Sequence, residues 1–355
     1  MTRHRVAVVG LGFGLAHIAA YRQLADRFEV VAVCDHGQDR LDGLATWFDV
    51  PVRTTSFDDI VALDEVDVID ICTPPATHVD MITAGLERGR HVICEKPLTG
   101  SLAEVDLLAE REKASQGRLM PIFQYRFGDG AGRLRRLIEL EVTGRAHVAS
   151  VETFWHRGAD YYASPWRGTL DTELGGVCAM HAIHAYDLLL TLLGPVRSVF
   201  ARTATRINPV ETEDCAAVVV EFESGALATL TATLGSAREL SRMRIHFDHL
   251  SVESGLSPYG GSAEPWTIEA MSTDAVVRID AALVDYVDGG ELLSGQLDAF
   301  AAALETDGPL PVSVHDARPV IELLTAIYQS AATGQPVALP IGADHPGYRS
   351  WHDQT

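Results

Sequence analysis

The sequence reads as two domains in series. The first is an α/β domain on a parallel sheet; the second is an α+β domain with an antiparallel sheet. Three observations predict this. The chain has 355 residues, more than one hydrophobic core ordinarily fills. Over its first third, short β-rich apolar runs alternate with amphipathic stretches, the pattern of a parallel sheet covered on both faces. Beyond about residue 125, strand follows strand directly through turns such as "ESG" (223–225), the pattern of antiparallel pairing. The domains are 1–122 and 123–340, with a polar tail, 341–355, expected on the surface.

Taken in order, strands are expected at "RVAVVG" (5–10), "EVVAVCD" (29–35), "VDVIDICTP" (66–74), "HVICE" (91–95) and "LMPIFQY" (119–125). Helices are expected at 78–88 and at "LAEVDLLAEREKAS" (102–115). A basic helix, "GRLRRLIELE" (132–141), leads into "AHVASVETFWH" (146–156) and then a polar, aromatic stretch to residue 176. An apolar helix at 176–193 precedes alternating runs from "VRSVFARTATRI" (196–207) to "SRMRIHFDHLSVES" (241–254). Two helices, near 290–306 and 315–333, close the second domain.

Composition narrows the function classes. With 47% hydrophobic and 22% charged residues the chain is an ordinary globular one. A net charge of −21 repels nucleic acid and anionic lipid, so neither is an expected partner. No run of about 18 apolar residues suggests a membrane span. The N-terminus enters a strand pattern at once, which leaves no room for a signal peptide. Cysteines 34, 72, 94, 178 and 215 are scattered and odd in number, with no Cys-x-x-Cys pair. They read as reduced core residues of a cytoplasmic protein, with no metal site.

"VVGLGFGLAH" (8–17) follows the first strand directly. Gly10 and Gly12 fit the first two glycines of a dinucleotide-binding G-x-G-x-x-G turn; the sixth position is Leu15, and a glycine comes one place early at Gly14. The turn ends a strand, opens a helix, and is followed about 20 residues on by an acid closing strand two, Asp35. Gly12 lets backbone N–H groups approach a pyrophosphate at a helix N-terminus, and Asp35 accepts from an adenosine ribose. A carboxylate repels a 2′-phosphate, and His36 and Gly37 supply no fixed positive charge, so NAD is favoured over NADP.

"CTPP" (72–75) and "CEKP" (94–97) fall at the carboxyl ends of parallel strands, where open α/β sheets bind ligands. There the ammonium of Lys96 can bond a substrate hydroxyl and move its proton. The plainer alternative is a surface lysine paired with Glu95.

"GLGFG", "AVCD", "CTPPATH", "CEKPL", "FQYRF", "PWRG" and "HAIHAYDLL", in this order, resemble the Gfo/Idh/MocA oxidoreductases over nearly the whole chain. The resemblance implies a Rossmann domain, a second domain with a large, mostly antiparallel open β-sheet flanked by helices, a nicotinamide cofactor, sugar or cyclitol substrates, and homodimers or homotetramers built through the second domain's sheet. It implies that Gly10, Leu11, Gly12, Phe13, Gly14 and Asp35 hold the cofactor. Thr73, Pro74, His78, Glu95 and Gln124 would line it, Lys96 would be the active-site lysine, and Arg167 would lie near cofactor or substrate.

The same family commonly presents an aspartate and, four residues later, a histidine on the helix at 176–193. His184 matches the histidine, whereas the aspartate position is Met180. At about 100° per residue, Met180 and His181 flank His184 on one helical face, and Asp187 lies on the same face. His184 is the natural base. Tyr161, Trp166 and Arg167, with Met180, His181 and Asp187, are the expected substrate contacts; the aromatic loop would equally suit a dimer contact. The leading function is an NAD-dependent dehydrogenase of a sugar, glycoside or cyclitol. An NAD-using glycosidase of this fold and a non-catalytic NAD- or sugar-sensing regulator are the alternatives.

Overall fold

The computed structural model describes residues 3–44 and 48–352 and divides into two compact units. Unit 1 contains the chain to Thr99, then Glu104–Ile122 and Leu293–Ala317; unit 2 contains Gly100–Ala103, Phe123–Leu292 and Arg318 onward. The chain thus passes between units several times, where the sequence suggests one boundary.

Unit 1 carries six strands: β1 (His4–Val9), β2 (Phe28–Cys34), β3 (Val52–Thr54), β4 (Val68–Ile71), β5 (His91–Cys94) and β6 (Leu119–Pro121). They are parallel and ordered β3-β2-β1-β4-β5-β6. Helices α1 (Gly14–Gln23), α2 (Gln38–Leu44), α3 (Phe57–Ala62), α4 (His78–Glu87) and α5 (Leu102–Lys113) make the connections. Every residue of β4 is buried, so both faces of the sheet are covered, as a parallel sheet requires. The strand order reverses between β1 and β4, which places the crevice for a ligand at their carboxyl ends. β3, α2 and α3 are not anticipated from sequence because they are too short for a clear period. The expected strand at 119–125 stops at Pro121, since 124–126 turns into a 3-10 helix.

Unit 2 holds an eight-stranded sheet of β7 (Ala146–His156), β8 (Val196–Ala204), β9 (Cys215–Phe222), β10 (Leu227–Thr233), β11 (Gly235–Phe247), β12 (Leu250–Glu253), β13 (Thr267–Ala270) and β14 (Val337–Ala338). The order is β13-β12-β11-β7-β10-β9-β8-β14, antiparallel except between β7 and β10. Alternation does the sorting: Ala216, Val218, Val220 and Phe222 of β9 are buried, while Ala217 and Val219 are exposed. Its helices are α6 (Asp129–Glu139), α7 (Ala159–Tyr162), α8 (Leu170–Glu173), α9 (Ile183–Leu193) and α10 (Thr273–Leu283); α11 (Leu292–Thr306) returns to unit 1, and α12 (Val314–Thr333) belongs to unit 2 from Arg318 onward. Leu170–Leu193 is long and apolar enough to span a membrane by composition, but 78% of its most apolar window is buried inside the protein.

The tail corrects an expectation. Trp351 is 1% exposed; its indole N–H donates to Leu174 O at 2.7 Å and its ring packs on Tyr328. A large aromatic with a satisfied donor outweighs the polar residues around it. Residues 353–355 lie outside the described ones.

Candidate functional site

In unit 1 the glycine turn divides its labour. Gly10 has φ +90°, and a Cβ there would stand 2.7 Å from Cys72 O, so only glycine lets β1 and β4 loops approach this closely. Around a Gly12 Cβ no atom lies within 4 Å, which leaves that backbone open to a ligand. A Cβ on Gly14 would meet Val8 Cγ1 at 2.9 Å, so Gly14, one place early in the motif, performs the close helix–strand packing. The first turn of α1 has no acidic side chain, and Phe13 before it supplies no capping oxygen. Such a terminus suits an anion.

Asp35 is buried, and its carboxylate accepts the N–H groups of Leu11 and Gly37 at 2.8 Å each. It therefore ties the glycine turn to the end of β2. Arg40, which the sequence reading does not single out, brings Nη1 to 3.3 Å from the same carboxylate. Leu11 is buried beneath the turn and Phe13 is half exposed.

The loops after β4 and β5 are pinned together by His78. Its ring is fully buried, with Nδ1 2.9 Å from Pro97 O and Nε2 2.9 Å from Thr73 O. Burial pushes its pKa below the usual imidazole range, and the two carbonyls only partly offset this. Thr73 and Pro74 are half-buried, as is Lys96, next to a cis Lys96–Pro97 bond. Glu95 turns inward to His17 rather than outward.

In unit 2 the helix that carries His184 begins irregularly. Residues Val177–Ala182 are π-helical and α9 follows, so the 100° spacing expected across Met180, His181 and His184 does not apply. Glu213 anchors this start: its carboxylate accepts the N–H groups of Gly176 and Cys178 at 2.9 Å and the Tyr328 hydroxyl at 3.0 Å. A Cβ at Gly176 would fall 1.8 Å from Glu213 O, which requires glycine there. His184 stacks on Tyr125 at 5.1 Å between ring centroids, with Phe123 edge-on at 6.5 Å. Both oxygens of Asp187 accept from Arg126, at 2.6 and 2.8 Å. Gln124, between these contacts, is half-buried.

His181 joins a second group. Its ring lies 5.5 Å from both Trp155 and Tyr161. Arg167 is sandwiched between Tyr161 (3.9 Å) and Trp166 (4.1 Å), bonds the Tyr161 hydroxyl, and pairs with buried Glu173 at 3.2 Å. Burial pushes the Tyr161 hydroxyl pKa up. Tyr259 packs on Trp155 at 4.6 Å, and Arg157 lies over Trp155 at 5.1 Å. Tyr161, Trp166, Arg167 and His181 thus form one aromatic cluster, in which Glu173 balances the guanidinium. Met180 is buried beside His181 in the chain. Trp155, Arg157, Tyr259 and Glu213 are missed from sequence; "ETFWH" signals a strand but not which ring faces a site.

Comparison with known proteins agrees with this geometry. The chain is 27% identical over 323 residues to D-xylose 1-dehydrogenase (NADP(+)) 2 of Haloferax volcanii, covering 89% of this chain and 93% of that protein. It is 27% identical over 358 residues to inositol 2-dehydrogenase of Rhizobium meliloti, covering 94% and 99%. Among solved structures, the WlbA dehydrogenase of Bordetella pertussis in complex with NADH and UDP-GlcNAcA superposes with a TM-score of 0.83 at 26% identity, covering 96% of this chain and all of that one. Residues 4–123 match an oxidoreductase family with an NAD-binding Rossmann fold, and residues 132–253 match the Gfo/Idh/MocA C-terminal domain. With a Rossmann sheet, an open glycine turn at its switch point and an antiparallel second unit, the chain belongs to the Gfo/Idh/MocA oxidoreductases and is a dehydrogenase.

Proposed function

We propose that the chain oxidises or reduces a secondary alcohol on a sugar, glycoside or cyclitol, with Lys96 and His184 handling the hydroxyl proton. The observation that carries this reading is the open backbone at Gly12 beside an acid-free helix start, in the sheet that places Lys96 at the carboxyl end of β5. These residues fit a dinucleotide: the Gly10–Gly14 turn takes its pyrophosphate and Asp35 its ribose. When bound, the nicotinamide takes or gives the hydride. The Lys96 amine and the His184 imidazole accept the hydroxyl proton in oxidation and return it in reduction, while the Tyr161–Trp166–Arg167 surface orients the ring. Asp35 favours NAD; Arg40, in the first turn of α2 beside it, is a cation placed to tolerate NADP. Relatives acting on xylose and inositol, and a neighbour holding a nucleotide-linked sugar, support the substrate class. NADH absorbance at 340 nm with aldoses, cyclitols and UDP-sugars tests it. Reduction of NAD by a member of the panel supports the reading, and tight cofactor binding with no turnover on any would favour a sensor.

The same reading makes the chain a homo-oligomer of the reducing cytoplasm, supported by five free thiols and by the open face of the unit 2 sheet. There Phe200 stands opposite Val219, and Leu227 opposite Val148, all four exposed. Such a face calls for a cover. A monomeric mass by light scattering at micromolar concentration would remove this part.

A further inference from the structure

A buried chain of ionisable groups runs beneath Lys96. His17 of α1 aims both ring nitrogens at carboxylates: Nδ1 lies 2.7 Å from Asp70 Oδ2, and Nε2 3.1 Å from Glu95 Oε1. Tyr21 donates to the same Asp70 oxygen at 2.8 Å, and the Cys72 thiol sits 3.6 Å from Asp70 Oδ1. Glu95 Oε2 accepts the backbone N–H of Lys96 at 3.1 Å. His17 and Asp70 are fully buried and Glu95 almost so. The Cys94 and Cys72 thiols and the His78 ring also feel Glu95.

Counting protons shows what this arrangement does. Two hydrogen bonds flank the ring and each needs one proton. One lies between Nδ1 and Asp70, the other between Nε2 and Glu95. Whether the second proton sits on nitrogen or oxygen, the three groups together carry one negative charge, and Glu95's own charge is matched. Two bare carboxylates in a dry interior would be costly. Burial opposes protonation of His17, but Asp70 outweighs it and holds the imidazole pKa well above its usual range.

We propose that Asp70 and His17 are positioning residues for Lys96: they keep a proton on the His17–Glu95 contact, cancel Glu95's charge where the lysine leaves its strand, and so set the pH at which the lysine gives up its proton. This rests on Lys96 as the proton-handling group. Asp70→Asn removes the reason for the ring to carry two protons. A neutral ring then donates to Glu95, which becomes a full carboxylate next to Lys96 whose charge the ring no longer cancels.

The test is the pH profile of kcat for wild type, Lys96→Ala, Asp70→Asn and Asp70→Asn/Glu95→Gln, with melts as folding controls. Lys96→Ala should abolish one limb. Asp70→Asn should move that limb up by about 1–2 pH units, the effect of a carboxylate near an ammonium. It should lower kcat at neutral pH about 10-fold or more and leave KM for NAD nearly unchanged. The double variant, whose amide still accepts the Lys96 N–H, should bring the limb back to or below wild type. If Asp70→Asn does not fold, His17→Gln, which also leaves Glu95 without the shared proton, should raise the limb. A folded variant of either kind with lower melting temperature but an unmoved limb overturns the proposal. Near-wild-type turnover by Lys96→Ala would instead overturn the reading beneath it.

Discussion

Glu95 and Glu213 both hold a stretch that presents a proposed proton-handling residue, Lys96 in one unit and His184 in the other. Glu95 is met by the His17 imidazole, whose other nitrogen faces Asp70, so its charge meets a group that titrates. Glu213 is met by two backbone N–H groups and a tyrosine hydroxyl, which are dipoles that keep their orientation at every working pH. The contrast teaches that one unit ties its site to a movable proton and the other to fixed geometry. Changes near Glu95 should therefore appear in pH profiles, and changes near Glu213 in stability and in the placement of His184.

The largest effect expected on either side is on turnover. Lys96→Ala should lower kcat roughly 10²–10⁴-fold, the range for a positioned acid–base group, with NAD affinity little changed. His184→Ala should also cut kcat, and the double variant should cost less than the product, because groups sharing one proton are not independent. Steady-state kinetics decides; a fully multiplicative double variant would separate the two units' roles.

On the Glu213 side, Glu213→Ala leaves the N–H groups of Gly176 and Cys178 and the Tyr328 hydroxyl to be satisfied anew. The expected loss is about 3–5 kcal/mol by denaturant unfolding, with lower kcat. Glu213→Gln keeps one acceptor oxygen and should cost about 1–3 kcal/mol. Equal losses for the two would mean that the side chain matters by packing alone.

Asp35 is a third case, a buried carboxylate that serves both frame and ligand. Asp35→Ser with His36→Arg should improve NADP use, but it also removes the acceptor of the Leu11 and Gly37 N–H groups, at about 1–3 kcal/mol. Ratios of kcat/KM for the two cofactors, with melts alongside, separate the effects. A wild type that already prefers NADP would show that Arg40, not Asp35, sets the choice.

The smallest effects are in stability against pH, and the sign is the same for both sites. Burial raises Glu213 above the 4.5 of a free glutamate, and Asp70 raises His17 above 6.5. A raised pKa adds stability fully present below the unfolded value and lost as pH rises through the folded one. Glu213 should thus lower the melting temperature as pH climbs from about 4.5, and His17 as it climbs past about 6.5. Glu213→Gln should flatten the first slope and Asp70→Asn the second. Slopes that both variants leave unchanged would dissolve the contrast between the units.

Much of this protein was legible in its sequence. Alternating strand and helix periods marked unit 1, direct strand succession marked unit 2, and the glycine turn, Asp35, "CEKP" and the helix of His184 stood out because turn chemistry and periodicity are local. The partners of buried charges are not. Asp70 in "VDVIDIC" is not singled out by the sequence reading; its partners are 53 residues away at His17 and 49 away at Tyr21, a pairing that only packing α1 on β4 creates. Glu213 reaches Gly176 from 37 residues away, at the start of a π-helical stretch in which side-chain angles read from an ideal α-helix do not hold. The tail is polar in composition, yet Trp351 is buried because Leu174 O, 177 residues earlier, accepts its N–H. Short-range pattern determined which elements form and in what order. Desolvation, which forces each buried polar group to find a partner wherever the fold offers one, decided how the candidate site is held.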